Sequence, residues 1–335
     1  MRKIKLRIMY SIAILLLLVA CGGTQEANLS NEQVENNSSE KKEQTQDTYE
    51  AVEIKNNDHV MVFTEVPKRA VSLNQHVTEV MLALGLEENM VGSAYLDDEI
   101  LPEYKEAYEQ IEVLSNQYPS QEVFLAKEPD FAYAGWGSAF REDNIGTVDQ
   151  LTELDINAYL HESSTVVGPT IDHIYQDIRN IATIFNVVDR GEELIGQIDE
   201  EISNTKAEIP EGQKPLKVFV FDSGDTAPFT VGQNFLNTII SMAGAENIFN
   251  DIDSNWGEVS WEEVVERDPE VIVIMDYGET TAEEKREQLL NHPALTDVTA
   301  IKDEHFIIIP LSAAAEGIRV PRALEILVNG LYEEG

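Results

Sequence analysis

Aromatic, acidic and basic side chains recur just past the ends of short apolar runs. After Ala70–Leu73 come Asn74, Gln75 and His76, at a helix N-terminus by pattern, with free backbone donors. After Met90–Ala94 comes Tyr95, and after Phe131–Ala134 comes Gly135-Trp136-Gly137-Ser138-Ala139-Phe140-Arg141. In the second half, comparable positions hold Asp222, Ser223, Phe229, Trp256, Asp276 and Tyr277, with Glu316 and Arg319 near the end. Loops at strand ends are where α/β proteins meet small molecules. Aromatic rings beside glycines suit a flat, bulky guest, because they offer wide contact with little side-chain entropy to lose. An arginine would clamp carboxylates or an anionic chelate. His76 and His161, completed by Asp276 or Glu316, could instead ligate a bare metal ion. The six histidines are scattered, however, and no His-rich acidic loop is present. There is no Gly-x-Ser-x-Gly elbow, no His-Glu-x-x-His helix and no phosphate loop. These residues describe a binding surface rather than an enzyme, and they imply no cofactor.

The elements that must position them alternate. Strand-like runs occur at Val60–Phe63, Ala70–Leu73, Met90–Ala94, Phe131–Ala134, Ile156–Leu160, Lys217–Phe221, Val271–Met275 and His305–Ile309. Helix patterns lie between them at Val77–Leu84, Gln121–Lys127, Val148–Leu154, Gln233–Ala243 and Trp261–Arg267. Gly85 and Gly244 stand where helices stop. Strands alternating with helices predict an α/β fold with mainly parallel sheets, and the pattern occurs twice. The halves read as an N-terminal lobe over 53–168 and a C-terminal lobe over 188–335. Between them, Ile171, Ile174, Ile178, Ile181 and Phe185 fall on one helical face, predicting an interdomain helix over 169–187. Asp189 and Glu192 read as the capping box of a second helix. Two lobes on one long helix predict a stiff hinge with modest closure.

The N-terminus carries an address. Four basic residues precede a 13-residue apolar run, Ile8 to Ala20, too short to span a membrane. The run ends Leu18-Val19-Ala20-Cys21, which resembles the lipobox of bacterial lipoproteins. Cys21 is the single cysteine, so no internal disulfide exists, and lipidation accounts for an exported thiol. Residues 1–20 are then a cleaved signal peptide and 21–52 a polar, disordered tether with a span of about 30 Å. Removing 1–20, with its four bases and no acid, takes the formal net charge from −39 to −43. Such a chain favours neither nucleic acid nor an anionic membrane surface.

One family fits the order of these motifs. Pro67-Lys68-Arg69-Ala70-Val71-Ser72-Leu73, followed by Thr78-Glu79-Val80-Met81-Leu82-Ala83-Leu84-Gly85-Leu86, resembles the opening of the iron-siderophore, haem and cobalamin class (class III) of ABC substrate-binding proteins. Val91-Gly92, Glu122 through Lys127, and Pro129-Asp130 continue the likeness. So do Val259–Val264, Pro269–Ile274, Phe221–Gly224, Pro228–Thr230 and Ala243–Phe249, and together the segments cover about residues 60–330. The resemblance implies two Rossmann-like lobes, a helical hinge and a ligand cleft between them. Asn74, His76, Tyr95, Trp136, Arg141, Asp222, Ser223, Phe229, Trp256, Tyr277 and Arg319 are then the ligand-binding candidates. It also implies that Glu122 and Glu262 dock onto arginines of the two permease subunits, setting orientation and encounter rate more than affinity. On separate lobes those two carboxylates stand too far apart for paired acid–base catalysis, which needs about 5–10 Å. The expectation is a monomeric, lipid-anchored receptor outside the cell membrane. It would pass a metal chelate, most simply a ferric siderophore, to an ABC permease dimer with its ATPase. Haem, cobalamin and a bare metal ion are the alternative ligands, and a sensory lipoprotein without transport is the alternative role.

Overall fold

The computed structural model describes residues 49–332. Cys21, the leader and almost all of the tether lie outside that range. Residues 49–52, placed in the tether by sequence, already contact the fold. The Tyr49 hydroxyl donates to the Ile184 carbonyl at 3.0 Å, and strands β1 (Val52–Asn56) and β2 (His59–Phe63) pair as an antiparallel hairpin. β1 escapes a sequence reading because Val-Glu-Ile-Lys-Asn buries only alternate residues and is as polar as a loop.

The N-terminal lobe holds a five-stranded parallel sheet. Its members are β3 (Ala70–Leu73), β4 (Met90–Ala94), β5 (Val113–Ser115), β6 (Phe131–Ala134) and β7 (Asn157–Leu160), in the order β5-β4-β3-β6-β7. Helices α1 (Gln75–Ala83), α2 (Lys105–Tyr108), α3 (Gln121–Leu125) and α4 (Val148–Thr152) connect them.

The C-terminal lobe repeats the plan. A parallel sheet contains β8 (Lys217–Phe221), β10 (Glu246–Asn247), β12 (Val271–Asp276) and β13 (Phe306–Pro310), in the order β10-β8-β12-β13. β9 (Phe229–Val231) and β11 (Trp256–Glu258) form a separate antiparallel ribbon. Its helices are α7 (Phe235–Met242), α8 (Trp261–Arg267), α9 (Ala282–Leu290), α10 (Thr299–Lys302), α11 (Leu311–Ala314) and α12 (Val320–Tyr332).

The linker differs from a single rod. α5 (Ile171–Ile184) and α6 (Val188–Lys206) form a helical hairpin. Tyr175 donates to Asp199 at 2.5 Å and Arg179 grips Glu192 at 2.7 and 2.9 Å, so the two helices run antiparallel. Asn186 adopts a left-handed φ of 57°, which ends the first helix. The Asp189–Glu192 capping box does not form. α6 already begins at Val188, and Glu192 turns to the Arg179 guanidinium, a stronger partner than a backbone amide.

Each sheet buries both faces, and strand alternation divides them. Val218, Val220, Val271, Val273 and Met275 face an apolar cluster that also takes in Tyr133, Ile178, Ile195 and Leu327. Phe219, Phe221, Ile272 and Ile274 face the other way, under Trp261 and Phe249. Val71 and Leu73 do the same in the first lobe, under Phe124 and Leu151. The central cluster therefore runs from one lobe, through α5 and α6, into the other. Each fully buried Val, Ile or Phe in it contributes about 1.5–3 kcal/mol.

A polar clasp also joins the lobes. Arg319, 6% exposed, donates from Nε and Nη2 to both Glu79 oxygens at 2.8 and 2.5 Å, and Glu79 is fully buried on α1. Arg319 reaches Asp98 at 3.3 Å and the Glu99 carbonyl at 2.6 Å as well. Ser312 donates to Asp98 at 2.8 Å. Buried charges persist only when paired and hydrogen-bonded in this way.

Candidate ligand-binding site

Between the lobes lies a cavity of about 400 Å³. From the N-terminal lobe, Tyr95 at the end of β4 and Trp136 after β6 supply one wall. From the other lobe come Asp222 after β8, Tyr277 after β12, and Phe229 and Trp256 on the β9–β11 ribbon. The Phe229 and Trp256 rings are stacked, with centroids 5.7 Å apart and planes within 6°. Trp136 and Tyr95 meet edge-to-face at 6.4 Å. Two rings on one side and three on the other suit a broad apolar solute.

The walls are held from behind. Tyr95 and Asn74 follow adjacent strands, and both take positive φ, 59° and 94°. Such conformations cost non-glycine residues about 1–3 kcal/mol and persist where the surroundings impose them. Here the Asn74 Oδ1 accepts from the Tyr118 hydroxyl at 3.0 Å and the Trp136 amide at 3.3 Å, fixing the tryptophan loop to the end of β3. His76 is 2% exposed and packs its ring against Trp136 at 5.2 Å and His161 at 5.4 Å. A Cβ at Gly135 would sit 2.3 Å from the His76 ring, so only glycine lets this loop lie so close. Burial, then the neighbouring His161, holds His76 well below the usual histidine range, and burial lowers His161 against the pull of Asp177. Both rings are therefore neutral at ordinary pH.

The floor of the cavity is polar. Asp222 accepts from the Tyr277 hydroxyl at 2.7 Å and Ser223 at 2.9 Å, and burial, then that carboxylate, pushes the Tyr277 phenol up. Glu316 touches Ser164 at 3.5 Å, and burial lifts its carboxyl to about 7. The turn that carries Ser164 is held in place by Asp177 on α5, which accepts from Tyr159 at 2.7 Å, the Glu162 amide at 2.9 Å and Ser163 at 2.9 and 3.0 Å. The linker hairpin thus sets the cavity floor.

Of the sequence candidates, Tyr95, Trp136, Asp222, Phe229, Trp256 and Tyr277 line the cavity. Five do not. Asn74 and His76 lie behind the Trp136 loop, and Ser223 is spent on Asp222. Arg319 is committed to Glu79, and Arg141 is exposed and outside the lining. Polar strand-end residues are used here to build the walls, and composition alone does not separate that role from contact. Asn234, Asn255, Leu311, Ala314 and Ala315 line the cavity without any sequence signal. Their small or common side chains matter only for where the backbone puts them.

Glu122 and Glu262 occupy equivalent exposed positions. Each is the second residue of its helix, after the caps Ser120 and Ser260, and neither makes a salt bridge among the described residues. No group of three or more His, Cys, Asp or Glu among the described residues could hold a metal ion.

The pattern of the family described as periplasmic binding protein matches residues 71–313. The chain belongs to that family. Among curated relatives of this periplasmic binding protein is the Vitamin B12-binding protein of Pectobacterium carotovorum subsp. carotovorum (strain PC1). It is 32% identical over 212 residues, covering 62% of this chain and 71% of that protein. A solved periplasmic binding protein from Veillonella parvula is 30% identical, with a TM-score of 0.78, over 85% of this chain and 98% of that one. An Fe3+-hydroxamate transport protein from Saccharomonospora viridis shares the fold at 21% identity and a TM-score of 0.70, over 84% of this chain and 99% of that one. This periplasmic binding protein is a two-lobed, extracytoplasmic substrate-binding protein of the ABC-importer type and not an enzyme. No helix among the described residues is long and apolar enough to cross a membrane.

Proposed function

We propose that the protein is the lipid-anchored receptor of an ABC importer, capturing a metal chelate, most simply a ferric siderophore, in the interlobe cavity. The observation that carries this reading is the cavity itself. Aromatic side chains from both lobes face one space of about 400 Å³, within the range of small-molecule sites. Haem or cobalamin would use the same aromatic walls, and the Vitamin B12-binding relatives support keeping cobalamin in view. A bare metal ion fits less well, since no suitable ligand cluster exists among the described residues. Intrinsic tryptophan fluorescence titrated with ferric siderophores, haem, cobalamin and free metals tests the reading. A saturable change with one chelate is expected, and silence with all of them would overturn it.

Delivery rests on Glu122 and Glu262. Exposed and uncommitted at matching helix starts, they suit two cationic pockets on a two-fold permease. Glu122→Arg with Glu262→Arg is expected to abolish uptake in whole cells while solute binding by the purified protein stays unchanged. Lipidation rests on Cys21, and Cys21→Ser is expected to release the protein from the membrane fraction.

A further inference from the structure

The cavity walls are aromatic, but the charge they carry is of one sign. Asp97, Asp222 and Glu316 line the cavity, and no lysine, arginine or histidine does among the described residues. The cations nearby are already engaged. Arg319 is taken by Glu79 and Asp98. Lys285 donates to the Met275 carbonyl at 2.7 Å and lies 4.5 Å over the Tyr277 ring. Asp222 is satisfied by two hydroxyl donors, Tyr277 and Ser223. The other two acids are less well supplied. Glu316 has its own backbone amide and the 3.5 Å contact from Ser164, and the Asp97 carboxylate accepts no hydrogen bond among the described residues. Asp97 is exposed at the rim and Glu316 is half-buried, so water reaches both in the empty cavity, and a solute that covers them must supply donors in its place.

We infer that the cavity selects solutes presenting cationic or hydrogen-bond-donating groups to Glu316 and Asp97, and rejects chelates whose outer groups are carboxylates or catecholates. The inference rests on the receptor reading above and narrows it. A carboxylate-rich guest would face three acids of like charge with no cation to clamp it. A guest bearing ammonium or amide N–H groups would complete the floor and cover its non-polar faces with the five rings.

The same geometry links binding to protons. Burial lifts Glu316 to about 7, opposed by its own backbone amide and the Ser164 hydroxyl, with the Asp177 carboxylate on α5 adding to the rise. Neutral His161 stands at the end of β7 on the same side. At the rim, partial burial and then the adjacent Asp98 carboxylate lift Asp97 to about 6, while Asp98 itself is tied to Ser312 and Arg319. The phenols of Tyr95 and Tyr118 are the other titratable groups facing Asp97. Donors on the solute favour the ionised carboxylates, so binding expels a proton. Affinity then strengthens as pH rises through 6 to 7 and levels off above. An anionic guest would show the reverse, binding best where Glu316 is protonated.

The test uses the full chain and five probes at pH 6 and pH 8, read by tryptophan fluorescence. They are a ferric trihydroxamate with a free ammonium, an uncharged ferric trihydroxamate, cyanocobalamin with its amide periphery, a ferric tricatecholate, and haemin. At least one of the first three is expected to bind ten or more times tighter than either of the last two. Its affinity should fall about tenfold from pH 8 to pH 6, and Glu316→Gln should flatten that dependence. Tighter capture of the tricatecholate or haemin, or an affinity that rises towards pH 6, would overturn this inference and leave the receptor reading standing. No response to any probe would overturn the receptor reading and this inference together.

Discussion

At the scale of residues, the site is a set of rings held by buried polar groups. Trp136 and Trp256 stand on opposite lobes, so each alanine replacement removes one wall without touching the other. Truncating an aromatic anchor typically costs about 2–4 kcal/mol of binding. Trp136→Ala is therefore expected to weaken solute binding by at least tenfold, measured by titration calorimetry with the best probe. Glu316 makes a prediction about the empty protein. Its carboxyl is raised from 4.5 to about 7 in the folded chain. The unfolded chain releases this proton first, so stability falls as pH rises from 4.5 to about 7 and stays low above. Glu316→Gln should raise the Tm of the unliganded protein by a few degrees at pH 8 and leave it unchanged at pH 4.5, as scanning calorimetry would report. Tyr95, Trp136 and Tyr277 were legible in the sequence because each closely follows an apolar strand-like run, where the loops of α/β proteins meet small molecules. The supporting residues were not. Asn74, His76 and Arg319 are of types that bind ligands as readily as they brace a wall, and only their partners Tyr118, Gly135 and Glu79 distinguish the two.

At the scale of elements, the clasp between Arg319 and Glu79 binds α1 of one lobe to the segment before α12 of the other. Removing one member of a buried pair strands the other charge and costs about 3–5 kcal/mol, whereas replacing both by apolar groups is often neutral. Urea denaturation should show Arg319→Met losing that much stability, and Glu79→Leu combined with Arg319→Met recovering most of it. The strands were the easiest elements to read. β3, β4, β6 and β8 begin and end at the residues the apolar runs mark, because sheets buried on both faces need near-continuous apolar strands. β1, β9 and β11 were missed, since two-stranded ribbons bury one face at most and look like loops. The helix break at Asn186 was foreseen only in part. The α5 pattern breaks off after Phe185, but the sequence does not say that Arg179 would claim Glu192 and fold the second helix back on the first.

At the scale of the whole molecule, the antiparallel hairpin and the shared apolar cluster make the lobes one body rather than two on a flexible hinge. Opening would expose Ile178, Ile195 and Leu327 and break the Arg319 clasp, so closure on solute should be small. Small-angle scattering is expected to show the radius of gyration changing by less than about 1 Å on saturation. The two-lobed plan was readable from the repeated strand–helix order. The extent to which the lobes share a core was not, because it depends on contacts between residues more than a hundred positions apart. The central claim is that solute sits between the two lobes against Trp136 and Trp256. Native mass spectrometry of the protein purified from its own metal-starved host tests this most directly, with the Trp136→Ala, Trp256→Ala double variant prepared in parallel. A discrete small-molecule adduct on the native chain, absent from the variant, is the expected result. The same adduct on both would contradict the account.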